Sequence, residues 1–266
     1  MLASELRLLF GRARTRVLLV VLACVPVLLA VAVRLSGGPD RNQGPDFLSQ
    51  VSHNGVFAVL AGLTVTMPFF LPLAVSMVAG DTVAGEAGMG TLRALLFRPV
   101  GRARLLATKY ATAALFCLVA TFVIAGAGLL AGAVLFPLGR VTMLSGATVP
   151  LVEGIGRALG AAAVVGLSML GLAAVGLFVS TLTESAMAAM AVTAGVAITS
   201  EILDAIPQLR GIHPALFTHQ WTAFGDLLRT SGGWTNIRQD LFLQVAWALV
   251  FGLAAWARFT TKYVLA

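Results

Sequence analysis

The sequence predicts an all-α polytopic membrane protein with six transmembrane helices, built as a single transmembrane domain over residues 1–266. Three observations lead there. The chain is 59% hydrophobic and only 11% charged, whereas a water-soluble domain carries about 25% charged residues. Its mean hydropathy is +0.94. Its apolar residues gather into six runs free of Asp, Glu, Lys, Arg and His, and a helix needs about 20 such residues to cross the hydrocarbon of a bilayer.

Residues 1–16 place Leu2, Leu6, Leu9, Phe10 and Ala13 at helical spacing, with Arg7, Arg12, Arg14 and Arg16 over much of the remainder. That pattern predicts an N-terminal amphipathic helix lying in the inner interface. The first span runs from Val17 to Val33. Its Ala30-Val31-Ala32 resembles a signal-peptidase site, but the run exceeds a usual signal-peptide core and five more spans follow. The second span, Val56 to Val78, contains Pro68 and Pro72, which remove backbone donors one turn apart and permit bending.

Residues 80–109 form the longest basic loop. Within it, Thr91 to Phe97 favours a helix with Leu92, Leu95 and Leu96 to one side, closed by Pro99 and Gly101. A helix this short is unstable alone, so it reads as a docking element. The third span, Tyr110 to Phe136, carries Gly126, Gly128 and Gly132, and Gly156 and Gly160 stand near the start of the fourth, Ala158 to Leu182. Both glycine groups read as helix-packing positions. The fifth span, Ala186 to Ser200, is short unless Glu201 and Asp204 occupy its outer turn. An outer loop over 204–240, with Pro207 and Pro214, is expected to be partly re-entrant before the sixth span, Leu241 to Ala257.

The formal charge of +7 alone would allow a nucleic-acid binder. Sorted by topology, eleven Lys and Arg face four acids on one side, and seven face seven on the other. The whole excess therefore lies on one face, as the enrichment of cations in cytoplasmic loops requires. Both termini are placed in the cytoplasm and the protein in the cell membrane, with the lipid bilayer and not nucleic acid as its surroundings. Tyr110 and Trp256 mark inner ends, and Trp221 and Trp234 lie in the outer loop. Cys24 and Cys117 sit in apolar runs and read as small hydrophobes.

Catalytic readings fail on the residues. A phosphate-binding loop needs Gly-x-x-x-x-Gly-Lys-Ser/Thr, and Gly85 to Thr91 offers no Lys. Intramembrane proteolysis needs buried histidine or paired aspartates, yet His53, His213 and His219 fall in outer loops. His213 and His219, six apart, could join a surface metal site but read as ordinary loop histidines, and no metal ligand set is assigned. A secondary transporter would place ionisable groups near the midplane. The predicted spans hold none, so energy is expected to enter from outside them. The chain is thus expected not to be an enzyme and to have no catalytic residues.

The basic loop presents Glu86, Gly90-Thr91-Leu92, Leu95-Leu96, Pro99, Arg102 and Lys109 in that order. It resembles the loop after the second span of type-2 ABC exporter permeases, and the span count, inner termini, amphipathic N-terminus and large outer loop extend the resemblance over nearly the whole chain. The resemblance implies a cytoplasmic coupling helix between spans two and three, from about Asp81 to Phe97, resting on a separate ATPase subunit. Coupling residues would be Asp81, Glu86, Gly90, Thr91, Leu92, Arg93, Pro99 and Arg102, with Glu86 anchoring the helix through ion pairs and cap contacts. The complex would hold two ATPase subunits and a second permease copy or paralogue. ATP and Mg would be bound by the ATPase, with no cofactor in this chain. Spans two and five would line the path, with Phe69, Phe70, Thr193 and Thr199 as substrate contacts. The cargo would be a hydrophobic or amphiphilic molecule, such as a drug or lipid, moved out of the cytoplasm. A membrane scaffold or sensor of an ATPase-linked maturation or immunity complex, which moves nothing, stands as the alternative.

Overall fold

The computed structural model describes residues 1–35, 51, 54–88, 101–142, 147–228 and 234–262. Its elements follow the apolar runs and outlast each of them at one end or at both. Helix α1, Leu2–Gly11, is separated from α2, Ala13–Leu35, by Arg12, whose backbone is extended (φ −68°, ψ 130°). Span two is broken. Its halves, α3 (Phe57–Thr66) and α4 (Phe70–Gly88), meet at 60°, at the segment where Pro68 and Pro72 lack the amide protons a straight helix would use. Asn54 opens α3 by accepting from the Val56 amide and donating to the Gly139 and Arg140 carbonyls.

Helix α5 spans Arg102–Leu135, followed by a two-residue antiparallel pair, β1 (Val141–Thr142) and β2 (Thr148–Val149). Val141 faces Val149, and both are buried against the helices. This pair departs from the all-α expectation. Helices α6 (Leu151–Ser168) and α7 (Leu170–Leu182) form the fourth span, and α8 (Ala186–Asp204) the fifth. Ser185 caps α8, its hydroxyl accepting from the Ala188 amide at 3.3 Å, which satisfies one orphan donor of the first turn. Three short 3-10 turns, Pro207–Leu209, His213–Ala215 and Trp221–Leu228, lead to α9, Trp234–Lys262.

Among the described residues, with α6 and α7 taken as one, five helices are long and apolar enough to cross a membrane, and six if the bent α3–α4 pair counts as one span. The helices extend beyond the charge-free runs and so carry charged residues near their ends. A helix of 34 residues such as α5 is about 51 Å long and overshoots roughly 30 Å of hydrocarbon. The helices take in Asp81 and Glu86 in α4, Lys109 in α5 and Asp240 in α9 and, as the length of the fifth span required, Glu201 and Asp204 in α8. Residues 80–88 of the predicted loop therefore continue α4, and residues 102–109 open α5. Likewise, α9 takes in the last seven residues of the predicted outer loop.

Lipid is as apolar as leucine, so membrane helices gain from close packing and interhelical hydrogen bonds more than from burial. The glycines act accordingly. A Cβ on Gly132 would overlap the Gly55 backbone, and one on Gly128 would press on Val59, so α5 lies directly against the start of α3. Gly80 brings α4 equally close to the backbone at Met190 of α8. By contrast, a Cβ at Gly126 or Gly156 would meet nothing within 4 Å, so the packing expected of those two is not made within the described chain. Phe57, Leu60, Leu71, Phe116, Ile124 and Met169 fill the centre. Leu28, Val134, Met187 and Phe242 point outward, as lipid-facing side chains do.

Candidate functional site

The last two turns of α4 are held by three neighbours at the basic end of the bundle. From α7, the Ser180 hydroxyl donates to the Gly80 carbonyl at 2.7 Å and accepts from the Val83 and Ala84 amides at 3.0 and 2.8 Å. One hydroxyl hydrogen and two lone pairs are thereby all used. From the α1–α2 junction, Arg12 Nη1 and Arg14 Nη2 each reach Asp81 Oδ2 at 2.5 Å. The Asp81 side chain is 10% exposed, against 36% and 47% for the two arginines. The extended backbone at Arg12 is what lets both guanidinium groups converge on one carboxylate.

The third neighbour is α5. Lys109 Nζ lies 2.6 Å from Glu86 Oε1 and 3.8 Å from Glu5 Oε2 of α1, and the lysine side chain is only 2% exposed. A buried ammonium persists only where carboxylates surround it. A cavity of about 50 Å³, lined by Glu5, Leu9, Asp81, Glu86 and Lys109 among others, separates the two ion-pair groups. Arg102 Nη1 extends the frame by donating to the Thr260 carbonyl of α9 at 3.2 Å. The N-terminal helix, both halves of the predicted loop and the end of the last span thus share one polar frame. Gly90, Thr91, Leu92, Arg93 and Pro99 lie outside the described residues, as does the whole of Thr91 to Phe97. The frame holds the two helix ends from which that segment departs.

The expected path residues separate. Phe69 and Phe70 stand exposed at the break in span two, edge to face with ring centroids 5.7 Å apart. Thr199 is exposed on α8. Thr193 is fully buried, its hydroxyl bonded to the Ala189 carbonyl at 2.7 Å and its methyl facing Gly176 of α7. In this conformation it is a packing residue and lines no open surface.

At the opposite end, sequence reasoning missed a second polar network. Asp240 of α9 is fully buried and accepts from Ser168 and, at 3.0 Å, from Gln244 Nε2. Gln244 also donates to the Phe217 carbonyl at 2.7 Å and accepts from the Gly171 amide. Trp221 donates its indole N–H to the Ser168 carbonyl at 3.1 Å, where α6 gives way to α7. The loop after α8 is therefore fastened into the bundle by Phe217 and Trp221, both buried. A polar pair four apart, Asp240 and Gln244 at the start of an apolar run, was the available signal. Close by, His213 and His219 meet at the carboxylate of Asp204, with ring centroids 5.6 Å apart.

Comparison with known proteins places this architecture. A family profile described as a protein of unknown function, DUF2705, matches residues 40–209, more than half of the chain. The chain belongs to this family. Over 124 residues it is also 35% identical to the probable ABC transporter permease protein NosY of Pseudomonas aeruginosa. That match covers 47% of this chain and 42% of the relative, so the chain spans less than half the length of the protein it resembles. Membership of a family without assigned function leaves the activity to the geometry and to this partial likeness, which joins a bundle of apolar helices to a permease.

Proposed function

We propose that the chain is a membrane-spanning permease subunit of an ATP-binding cassette exporter, driven by a separate cytoplasmic ATPase. The observation that carries the reading is the likeness to a probable ABC permease in a chain whose helices suit a membrane. The basic-end frame supports it. Asp81 and Glu86 hold the last turns of α4, and Arg102 the first turn of α5, on either side of Thr91 to Phe97. A load applied to that segment would reach α4 directly and, through the bend at residues 67–69, α3. Those residues would couple ATP hydrolysis to the outward movement of a hydrophobic or amphiphilic molecule past Phe69, Phe70 and Thr199. ATP and Mg belong to the partner on this reading, with two ATPase subunits and two permease subunits per complex and both termini in the cytoplasm.

Sealed inverted vesicles containing the chain and an ABC ATPase that co-purifies with it test this. ATP-dependent accumulation of a fluorescent lipophilic dye or labelled phospholipid, lost in Leu92→Asp and kept in Arg157→Ala, is the expected result. A stable complex that hydrolyses ATP but accumulates none of a broad panel of amphiphiles would instead favour the scaffold.

A further inference from the structure

Asp204 ends α8, and His213 and His219 come from the turns that follow it. In sequence they are 9 and 15 residues away from it, but one ligand atom from each of the three lies within 4.8 Å of those of the other two. Both histidines present Nδ1 to the same carboxylate oxygen, Asp204 Oδ1, at 3.8 Å for His213 and 2.6 Å for His219. His213 Nε2 lies 3.1 Å from the Ile206 carbonyl, which can only accept. The proton of a neutral His213 ring is therefore on Nε2, and its Nδ1 lone pair is free and turned toward Asp204. Backbone carbonyls fix the tautomer of metal-bound histidines in this way.

We propose that Asp204, His213 and His219 bind a divalent first-row transition cation of borderline softness, of which Zn2+ is the representative. Two imidazoles and one carboxylate are a donor set that suits Zn2+ better than Mg2+ or Ca2+, which prefer all-oxygen shells. Tetrahedral coordination with bonds of about 2.0–2.1 Å places neighbouring donor atoms about 3.3 Å apart. The observed 2.6 and 3.8 Å bracket that spacing, so closure on an ion needs shifts well within side-chain rotation. The ion takes the place of the proton that His219 Nδ1 donates to Asp204, and that proton is carried by Nε2 of the same ring once Nδ1 binds the metal. The side chains are 13%, 32% and 25% exposed for His213, His219 and Asp204, which leaves a coordination position open to water. His219 also borders an open cleft of about 810 Å³ with Arg238, Gln239 and Phe242, a route by which an ion or an exchanging ligand arrives.

The site would tie the end of α8 to the loop that Phe217 and Trp221 fasten into the bundle, closing a loop of 15 residues across the last turn of the fifth span. It does not depend on the transport reading. Metal-free full-length protein in nanodiscs, titrated calorimetrically with Zn2+ alone, should bind one ion per chain, and Mg2+ should not compete. His213→Gln and His219→Gln should each weaken binding about tenfold or more, with unchanged elution and circular dichroism. Wild-type affinity in both variants, or no stoichiometric binding by the wild type, would overturn the proposal. A reading on the wild type guards against variants that misfold. Zn2+ should protect His213 and His219, and not His53, from diethyl pyrocarbonate, as read by peptide mass spectrometry. Equal modification of all three with and without Zn2+ would also overturn it.

Discussion

Lys109 is nearly inaccessible and relies on two carboxylates, so Glu86→Gln removes the nearer one while leaving the cation in place. Breaking a buried pair from one side costs about 3–5 kcal/mol, because the remaining charge is stranded. Glu5 stays 3.8 Å from the ammonium and retains part of the attraction, which places the loss near the lower end, about 3 kcal/mol. That corresponds to roughly a 100-fold shift in the unfolding equilibrium. Lys109→Met removes the cation instead, and the double variant Glu86→Gln/Lys109→Met removes both charges and fills the site with an apolar side chain. Ion pairs replaced as a unit by hydrophobic groups often cost little, so the double variant should be more stable than Glu86→Gln alone. The two substitutions should couple by about 2 kcal/mol, within the range seen for contacting residues. Reversible unfolding in mixed detergent micelles, followed by circular dichroism, reads all four states of the cycle. Additivity to within about 0.5 kcal/mol would refute the assignment of Lys109 to Glu86.

Other consequences follow from named contacts. Arg12→Ala and Arg14→Ala should each be mild, because the remaining guanidinium still holds Asp81, while the double variant should release α1 and raise amide hydrogen exchange over residues 2–11. Gly132→Ala forces a methyl group into the Gly55 backbone and should destabilise by about 3 kcal/mol, whereas Gly126→Ala, which meets open space, should be neutral or slightly stabilising in the same unfolding assay. Ser180→Ala removes the bonds that tie the Val83 and Ala84 amides and the Gly80 carbonyl to α7 and should cost about 1 kcal/mol, with faster exchange at those two amides. Trp221→Phe keeps an aromatic ring but loses the bond to the Ser168 carbonyl and part of the buried indole volume, a cost of about 2 kcal/mol that proteolysis of residues 205–228 would report.

The spans were legible because a charge-free apolar run near membrane length suits little except a bilayer crossing. The bend in span two was legible because Pro68 and Pro72 act through missing donors, a local effect. Helix ends were legible only in part: Phe57, Leu135, Leu182 and Ala186 fall within one residue of the ends of the apolar runs, but the ends that carry charge do not. Where Asp81, Lys109 and Asp240 enter their helices depends on partners far away in sequence, and an isolated charge beside an apolar run looks like a loop residue. Ser180 illustrates the same limit, since a serine in an apolar helix says nothing of which carbonyl it will meet 100 residues away. The glycine groups were half legible. Gly128 and Gly132 pack as small residues should, but Gly126, two residues before Gly128, points elsewhere, because helical phase decides which glycines face a neighbour.

The proposed docking of an ATPase on the segment between α4 and α5 is tested most directly by site-specific photocross-linking in native membranes. A photoreactive residue at Leu92 or Leu95 should yield an adduct with the ABC ATPase subunit, while the same probe at Arg140 or Asn236, at the other end of the bundle, should yield none. Adducts from Arg140 or Asn236 but not from Leu92 and Leu95, or no ATPase adduct from any position, would contradict both the orientation and the coupling role.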